Sequence, residues 1–173
     1  MDIDTLELHD KYDVIFSNAA LHWVKDHQRL WQNLKTILSE KGIVRFNFAA
    51  DGNCVHFLKI IREAITMDEY KKYFVNFEWP WYMPTIEEYK KIVEPLSFSE
   101  LKIWGENADR LFPDKESIIG WINQPSIVPF LKCIEESKRD KIRNYVIDRM
   151  LQSTSQKDGY YETFRRINVY AKY

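Results

Sequence analysis

The sequence predicts an α/β fold built on an open sheet whose first two strands are parallel. Residues 12–16 (YDVIF) form a nearly continuous apolar run, as in a strand buried on both faces of a parallel sheet. Residues 43–49 (IVRFNFA) form a second strand, and an amphipathic segment separates the two. Because a crossover helix lies between them, we expect the two strands to be parallel and joined in the right-handed sense.

The segment between these strands has the period of a helix. Its apolar positions are Leu30, Trp31, Leu34, Ile37 and Leu38, with polar residues between them. We expect the turn at 39–42 to end this helix, with Gly42 in the left-handed conformation that glycine adopts without steric cost.

The rest of the chain alternates helical patterns with two further strand patterns. Apolar spacing predicts a helix over 55–65 and a shorter one near 70–74, and Thr85 with Glu88 has the spacing of a capping box before a helix that ends at Pro95. The aromatic segment 77–84, which contains Trp79, Trp81 and Tyr82, fits neither period, and we expect it to cover another part of the protein. The remaining predicted elements are a strand at 98–104, helices at 114–122 and from 126 or 127 to about 151, a loop at 152–159, and a strand at 163–173.

Composition argues against several classes of function. With 25 basic and 26 acidic residues the formal net charge is -1, so no overall field favours nucleic acid or an anionic membrane. Two distant cysteines, Cys54 and Cys133, suit neither a disulfide framework nor a zinc site, and we expect no metal. No apolar run reaches the roughly 20 residues that span a bilayer, which together with the free thiols predicts a cytoplasmic protein.

A ligand position follows from the end of the first strand. The small and polar residues Ser17, Asn18, Ala19 and Ala20 come directly after it. Open α/β sheets bind ligands outside the carboxyl ends of their strands, so this turn is the first candidate site.

Residues 12–23 (YDVIFSNAALHW) strongly resemble the fourth strand and following loop of class I S-adenosylmethionine-dependent methyltransferases. The resemblance implies that the chain is the C-terminal part of a Rossmann-like methyltransferase sheet, with strands four to seven, the last of them antiparallel, and added helices. It implies one truncated methyltransferase domain over 1–173, with helical insertions at about 53–95 and 113–158.

The resemblance also implies roles for individual residues. By position, Asp2 would contact the adenine amino group of S-adenosylmethionine and Ile3 would lie beside the ring, while Asn18 and Ala19 would border the cofactor. His22 and Trp23 would face the substrate. Further candidates for closing the pocket or pairing an acid are Trp121, Tyr161 and Arg165, and no residue is assigned a catalytic role.

Each of these residues also has a purely structural interpretation. His22 and Trp23 could be packing residues at the start of a helix, and Asn18 could be a turn residue. Arg165 and Arg166 are neighbours on a predicted strand, so at most one of them can face a given pocket.

Within the superfamily, the sequence is most similar to the trans-aconitate methyltransferase type, with the malonyl-carrier-protein group nearby. The similar residues are 18–24, 26–27, 120–122, 129–131 and 164–169. The similarity implies O-methylation of a carboxylate of a small acid such as trans-aconitate. A carboxylate is already nucleophilic, so the absence of a catalytic dyad is compatible with this chemistry.

The sequence departs from the family pattern at its beginning. It contains only five glycines and no Gly-x-Gly cluster, so the turn that approaches most of the cofactor is missing from these residues. The fourth strand would then have an unpaired edge, which predicts a possible homodimer through that edge. A noncatalytic fragment that acts as a dimerisation or interaction module, and an unrelated α/β binding domain, are the alternatives.

Overall fold

The computed structural model describes residue 8 and the ranges 10–124 and 126–173. The chain divides into two compact units. The first contains the described residues up to Asn53 together with Trp81–Ala108 and Arg165–Tyr173, and the second contains Cys54–Pro80 and Asp109–Phe164. The predictions for Asp2 and Ile3 lie outside the described residues, and the expectation of one domain over 1–173 stays a prediction.

The elements are numbered along the whole chain. The helices are α1 (His27–Ile37), α2 (Val55–Thr66), α3 (Ile86–Val93), α4 (Lys115–Ile122), α5 (Val128–Lys132) and α6 (Glu136–Thr154), with 3₁₀ turns at Leu21–Trp23, Lys71–Tyr73 and Glu94–Leu96. The strands are β1 (Tyr12–Asn18), β2 (Leu38–Ala49), β3 (Glu100–Asn107), β4 (Arg110–Phe112), β5 (Ser155–Gln156), β6 (Gly159–Glu162) and β7 (Arg165–Lys172).

The first unit is built on a four-stranded sheet with the order β1-β2-β7-β3. Strands β1 and β2 are parallel, and α1 connects them, as the sequence predicts. Strand β7 lies between β2 and β3 and is antiparallel to both. The predicted fold class is therefore confirmed, including the antiparallel last strand.

One face of this sheet carries the core of the first unit. Alternate residues of β2 and β7 point to that face and are buried, and Trp31 of α1 and Tyr89 of α3 pack against them. The buried sheet residues are Val44, Phe46, Phe48, Ile167, Val169 and Ala171. Alternation along a strand sends every second side chain to one side, so this row follows from the sequence pattern.

The opposite face of the sheet is partly exposed. On β1, Val14 is 63% exposed and Phe16 is 68% exposed. The expectation that this strand is buried on both faces is therefore wrong for the described residues. An apolar run shows that a strand can be buried on both faces but not that an element covers each of them.

Strand β2 begins earlier than the sequence predicts. Helix α1 ends at Ile37 and the chain enters β2 at Leu38, so no left-handed turn separates them, and Gly42 does not have a positive φ. A Cβ on Gly42 would lie 2.6 Å from Leu38 Cδ1, which indicates that glycine is needed here for close packing. The register of β1 against β2 shifts between Tyr12 and Val14, so this stretch of β2 is irregular.

The second unit contains helices α2, α4, α5 and α6 and a small sheet with the order β4-β6-β5. The single helix predicted from 126 or 127 to 151 is two helices, because Glu135 has extended dihedral angles (φ -51, ψ 138). Ile134 is buried in the break, so the apolar spacing continues across it. The predicted loop at 152–159 instead contains the end of α6 and the short strand β5.

Helix α3 begins as predicted. The Thr85 hydroxyl accepts from the Glu88 backbone N–H at 3.2 Å, and a Glu88 carboxylate oxygen accepts from the Thr85 backbone N–H at 2.8 Å. After Val93 the chain continues into the 3₁₀ turn that contains Pro95.

Candidate functional site

The turn after β1 is a fixed part of the first unit. Ala19 has a positive φ of 54°, which is uncommon for a residue other than glycine, and its backbone N–H donates to the carbonyl of Asn47 at 2.7 Å. This bond holds the turn against the end of β2. Asn18 and Ala19, the two residues predicted to border the cofactor, therefore lie at the carboxyl ends of two parallel strands.

His27, which sequence reasoning did not identify as a site residue, anchors the loop that precedes it and that follows the β1 turn. Its Nε2 lies 3.0 Å from the carbonyl oxygen of Leu21 and its Nδ1 lies 2.9 Å from the hydroxyl of Tyr89. A carbonyl only accepts, so Nε2 carries the hydrogen, and in the neutral ring Nδ1 accepts from Tyr89. Trp31 Nε1 donates to the same hydroxyl at 3.0 Å. Burial raises the pKa of Tyr89, which keeps the phenol protonated.

His22 lies in a different environment within the same loop. Its backbone carbonyl accepts from the N–H of Tyr82 at 2.8 Å, but its buried Nδ1 has no hydrogen-bond partner among the described residues. Burial, and secondly the positive charge of Arg166, lower the pKa of His22 to about 4. The imidazole is therefore neutral at neutral pH.

Trp23 forms the exposed side of this loop. Its ring lies 5.7 Å from that of His22 and 5.6 Å from that of Trp81. The aromatic segment predicted at 77–84 is divided between the units: Trp81 and Tyr82 pack on the first-unit loop, whereas Trp79 packs against Phe130 in the second unit.

A cleft of about 450 Å³ lies on the partly exposed face of the first-unit sheet, and we call it the sheet-face cleft. Its lining residues come from the four strands and from the residue after β3: Phe16, Asn18, Arg45, Asn47, Glu106, Ala108, Arg166 and Asn168. Asn168 is the centre of a polar network, because its Oδ1 accepts from Arg45 and from Asn47, each at 3.0 Å, and its Nδ2 donates to Glu106 at 2.8 Å. Of the predicted site residues that the structure describes, only Asn18 lines this cleft.

The other predicted substrate residues are distributed over both units. Arg165 begins β7 in the first unit, and its backbone N–H donates to Asn53 Oδ1 at 3.2 Å. Trp121 and Tyr161 belong to the second unit. The Trp121 ring packs against Phe57, Phe112 and Phe164. The Tyr161 hydroxyl donates to the Asp109 carboxylate. The roles of these three residues at a substrate site stay predictions.

A second residue that sequence reasoning missed is Glu162, which is fully buried in the second unit. Its carboxylate accepts from the backbone N–H groups of His56, Phe57 and Thr163 at 3.3, 2.9 and 2.8 Å, and it lies 3.0 Å from Nδ1 of His56. The carboxylate thus satisfies N–H groups at the start of α2, where the helix dipole favours a negative charge. The only signal in the sequence is a single acidic residue in the aromatic stretch 160–164.

The described residues contain no group of three or more His, Cys, Asp or Glu side chains placed to hold a metal ion. None of their helices is both long enough and apolar enough to cross a bilayer.

The sheet order, the antiparallel last strand and the turn after β1 are those of a Rossmann-like sheet. Residues 1–46 match a family model described as a methyltransferase domain. The resemblance to S-adenosylmethionine-dependent methyltransferases that the sequence predicts is thereby confirmed.

Particular relatives are similar over different parts of the chain. A malonyl-[acyl-carrier protein] O-methyltransferase of Calditerrivibrio nitroreducens is 33% identical over 72 residues, which is 42% of this chain and 29% of that protein. A trans-aconitate 2-methyltransferase of Shigella dysenteriae is 22% identical over 138 residues, which is 80% of this chain and 52% of that protein. The chain therefore spans about half, or less, of the length of these curated relatives.

Solved structures show the same fold. A loganic acid methyltransferase with SAH aligns with a TM-score of 0.63 at 11% identity, over 94% of this chain and 62% of that one. The YcgJ protein of Bacillus subtilis aligns with a TM-score of 0.55 at 12% identity, over 98% of this chain and 68% of that one.

Proposed function

We propose that this chain forms the substrate-side half of an S-adenosylmethionine-dependent methyltransferase that O-methylates a carboxylate of a small acid such as trans-aconitate. The observation that carries the proposal is the match of residues 1–46 to the methyltransferase domain, which includes β1 and the turn after it. The relatives named for trans-aconitate and for malonyl-acyl carrier protein support a carboxylate acceptor. The SAH in the loganic acid methyltransferase structure supports the choice of cofactor.

The described residues fit one side of the cofactor. Asn18 and Ala19 lie at the carboxyl ends of β1 and β2, where an open α/β sheet binds its ligand, and the positive φ of Ala19 turns the chain sharply there. When bound, S-adenosylmethionine supplies an electrophilic methyl group: an acceptor oxygen forms a bond to that carbon while the carbon–sulfur bond breaks and its electron pair stays on sulfur.

The residues of this chain would act by position and charge. A carboxylate acceptor carries no proton that must be removed, so no general base is needed. His22, which is neutral at neutral pH, would add no positive charge beside a sulfonium. The bonds from His27 to Leu21 and Tyr89 would hold the loop that presents His22 and Trp23.

The first test is calorimetric titration of the 173-residue chain with S-adenosylhomocysteine, followed by a radiolabelled methyl-transfer assay with trans-aconitate. We expect micromolar binding and a base-labile methyl ester product. His27→Ala should lower both, because it removes the loop anchor. Arg143→Gln, which affects a second-unit side chain that pairs with Asp140 on α6, should change neither. Absence of cofactor binding and of product would contradict the proposal and favour a noncatalytic module.

A further inference from the structure

The sheet-face cleft contains two guanidinium groups and one carboxylate, and these three charges have different surroundings. Arg45 is held by the protein: its NH1 donates to the carbonyls of Phe46 and Val169 at 3.2 Å each, its NH2 donates to Asn168, and its guanidinium lies 4.6 Å from the centre of the Trp104 ring. These contacts fix Arg45 as part of the floor of the cleft.

Arg166 holds the other guanidinium. It lies two residues before Asn168 on β7, so both side chains point to the same face of the sheet, and its cross-strand neighbours are Ala49 on β2 and Glu106 on β3. Its charge also acts on His22 in the loop after β1. Of the two arginines in the cleft, Arg166 is the closer to the carboxyl end of β2, because it pairs with Ala49, the last residue of that strand.

We propose that the sheet-face cleft binds a nonreacting carboxylate of the acceptor acid, with Arg166 as the cation that pairs with it. This inference rests on the proposed function. It assigns to Arg166 the role that the sequence suggested for Arg165, whose side chain alternates to the other face of β7.

The lining of the cleft matches a small polycarboxylic acid. A guanidinium offers five N–H donors in a planar fork that can bind a carboxylate with two hydrogen bonds. The amides of Asn18 and Asn47 add donors on the β1 side, and Phe16 adds an apolar wall. The volume, about 450 Å³, lies within the usual range of small-molecule sites.

Glu106 determines how such a site can be tested, because its negative charge competes with a bound acid for Arg166. Glu106→Gln removes that charge and keeps an oxygen that can accept from Asn168. An acid-binding role for Arg166 thus predicts opposite effects from two neighbouring substitutions. A purely structural pair between the two side chains would not produce this opposition.

The experiment is a titration of the chain with trans-aconitate at neutral pH, without any nucleoside, followed by NMR or calorimetry. We expect saturable binding that Arg166→Gln weakens about tenfold or more and that Glu106→Gln tightens about threefold. The trimethyl ester of trans-aconitate should not bind, and the control Arg143→Gln should bind as the wild type does. Circular dichroism of each variant checks that it is folded.

The two proposals can fail separately. If the chain methylates trans-aconitate but Arg166→Gln binds the acid as well as the wild type, the cleft assignment is overturned and the proposed function stands. Loss of acid binding in Arg165→Gln with retention in Arg166→Gln would also overturn it. If the acid binds with the expected variant pattern but no methyl transfer occurs, the cleft assignment stands and the proposed function is contradicted.

Discussion

His22 and Glu162 are both ionisable side chains that the fold encloses, but the fold satisfies only one of them. His22 has a buried Nδ1 without a partner among the described residues, and its pKa is lowered to about 4. Glu162 accepts three backbone hydrogen bonds. We therefore expect substitution of His22 to reduce the loss of stability at acidic pH, and substitution of Glu162 to lower the stability of the second unit.

The His22 pKa makes folding stability depend on pH. The folded-state pKa of about 4 lies below the ordinary histidine value of 6.5, so between these values the unfolded chain binds a proton that the folded chain does not. The free energy of unfolding should therefore fall as the pH is lowered from about 6.5 to about 4. Urea unfolding should show that the free energy of unfolding falls less between about pH 7 and about pH 5 for His22→Gln than for the wild type. An NMR titration of His22 with a midpoint near 6.5 would contradict this prediction.

Replacing Glu162 should destabilise the second unit. Glu162→Ala would leave two N–H groups at the start of α2 and the N–H of Thr163 without this acceptor, at a cost of about 2–4 kcal/mol in the free energy of unfolding. The matched control is Glu116→Ala in the exposed first turn of α4, which should cost less than about 1 kcal/mol. Chemical denaturation of both variants measures the difference, and equal costs would show that the Glu162 contacts contribute little.

At the scale of elements, two glycines of the second unit have opposite requirements. Gly159 at the start of β6 has a φ of 139°, and a Cβ there would lie 2.2 Å from the carbonyl oxygen of Phe112. Gly120 lies inside α4, and a Cβ there would meet no atom within 4 Å. Glycine is therefore required at one position and unfavourable at the other.

Gly159→Ala should lower the free energy of unfolding by about 2 kcal/mol or more, because it forces β6 away from β4. Gly120→Ala should raise it by about 0.5–1 kcal/mol, since alanine is the better helix former. Thermal unfolding of the two variants gives the sign directly. A stabilised Gly159→Ala variant would show that the turn before β6 relaxes freely.

At the scale of the whole molecule, β1 is an outer strand of the first-unit sheet, and its second edge is unpaired among the described residues. Among the described residues β1 bonds only to β2, and Val14 and Phe16 are exposed beside that edge. Unpaired strand edges with apolar residues favour pairing with another chain.

We expect concentration-dependent dimerisation of the chain in sedimentation velocity experiments. Val14→Lys should weaken it about tenfold or more, because a charge beside the edge opposes pairing. Val75→Lys places the same charge at a residue of the second unit that is 78% exposed, and it should leave the association unchanged. A monomer at all concentrations, or equal effects of the two variants, would contradict edge pairing.

The sequence by itself determined most of the local elements and the resemblance to methyltransferases. Apolar spacing located β1, α1 and the helices α2 and α4, and the Thr85–Glu88 spacing placed the start of α3, because both signals depend on residues close together in the chain. The motif at 12–23 indicated the resemblance to methyltransferases and with it the antiparallel last strand of the sheet.

Only the tertiary structure decided which side chains share a site. The pairing of Arg166 with Ala49 and Glu106 places it in the sheet-face cleft, and this pairing depends on the register of strands that are far apart in the sequence. The burial of His27 and Glu162, the exposure of Val14 and the close approach of Leu38 to Gly42 depend in the same way on contacts between distant segments. A local pattern contains no information about those contacts, because they are fixed only when the elements pack together.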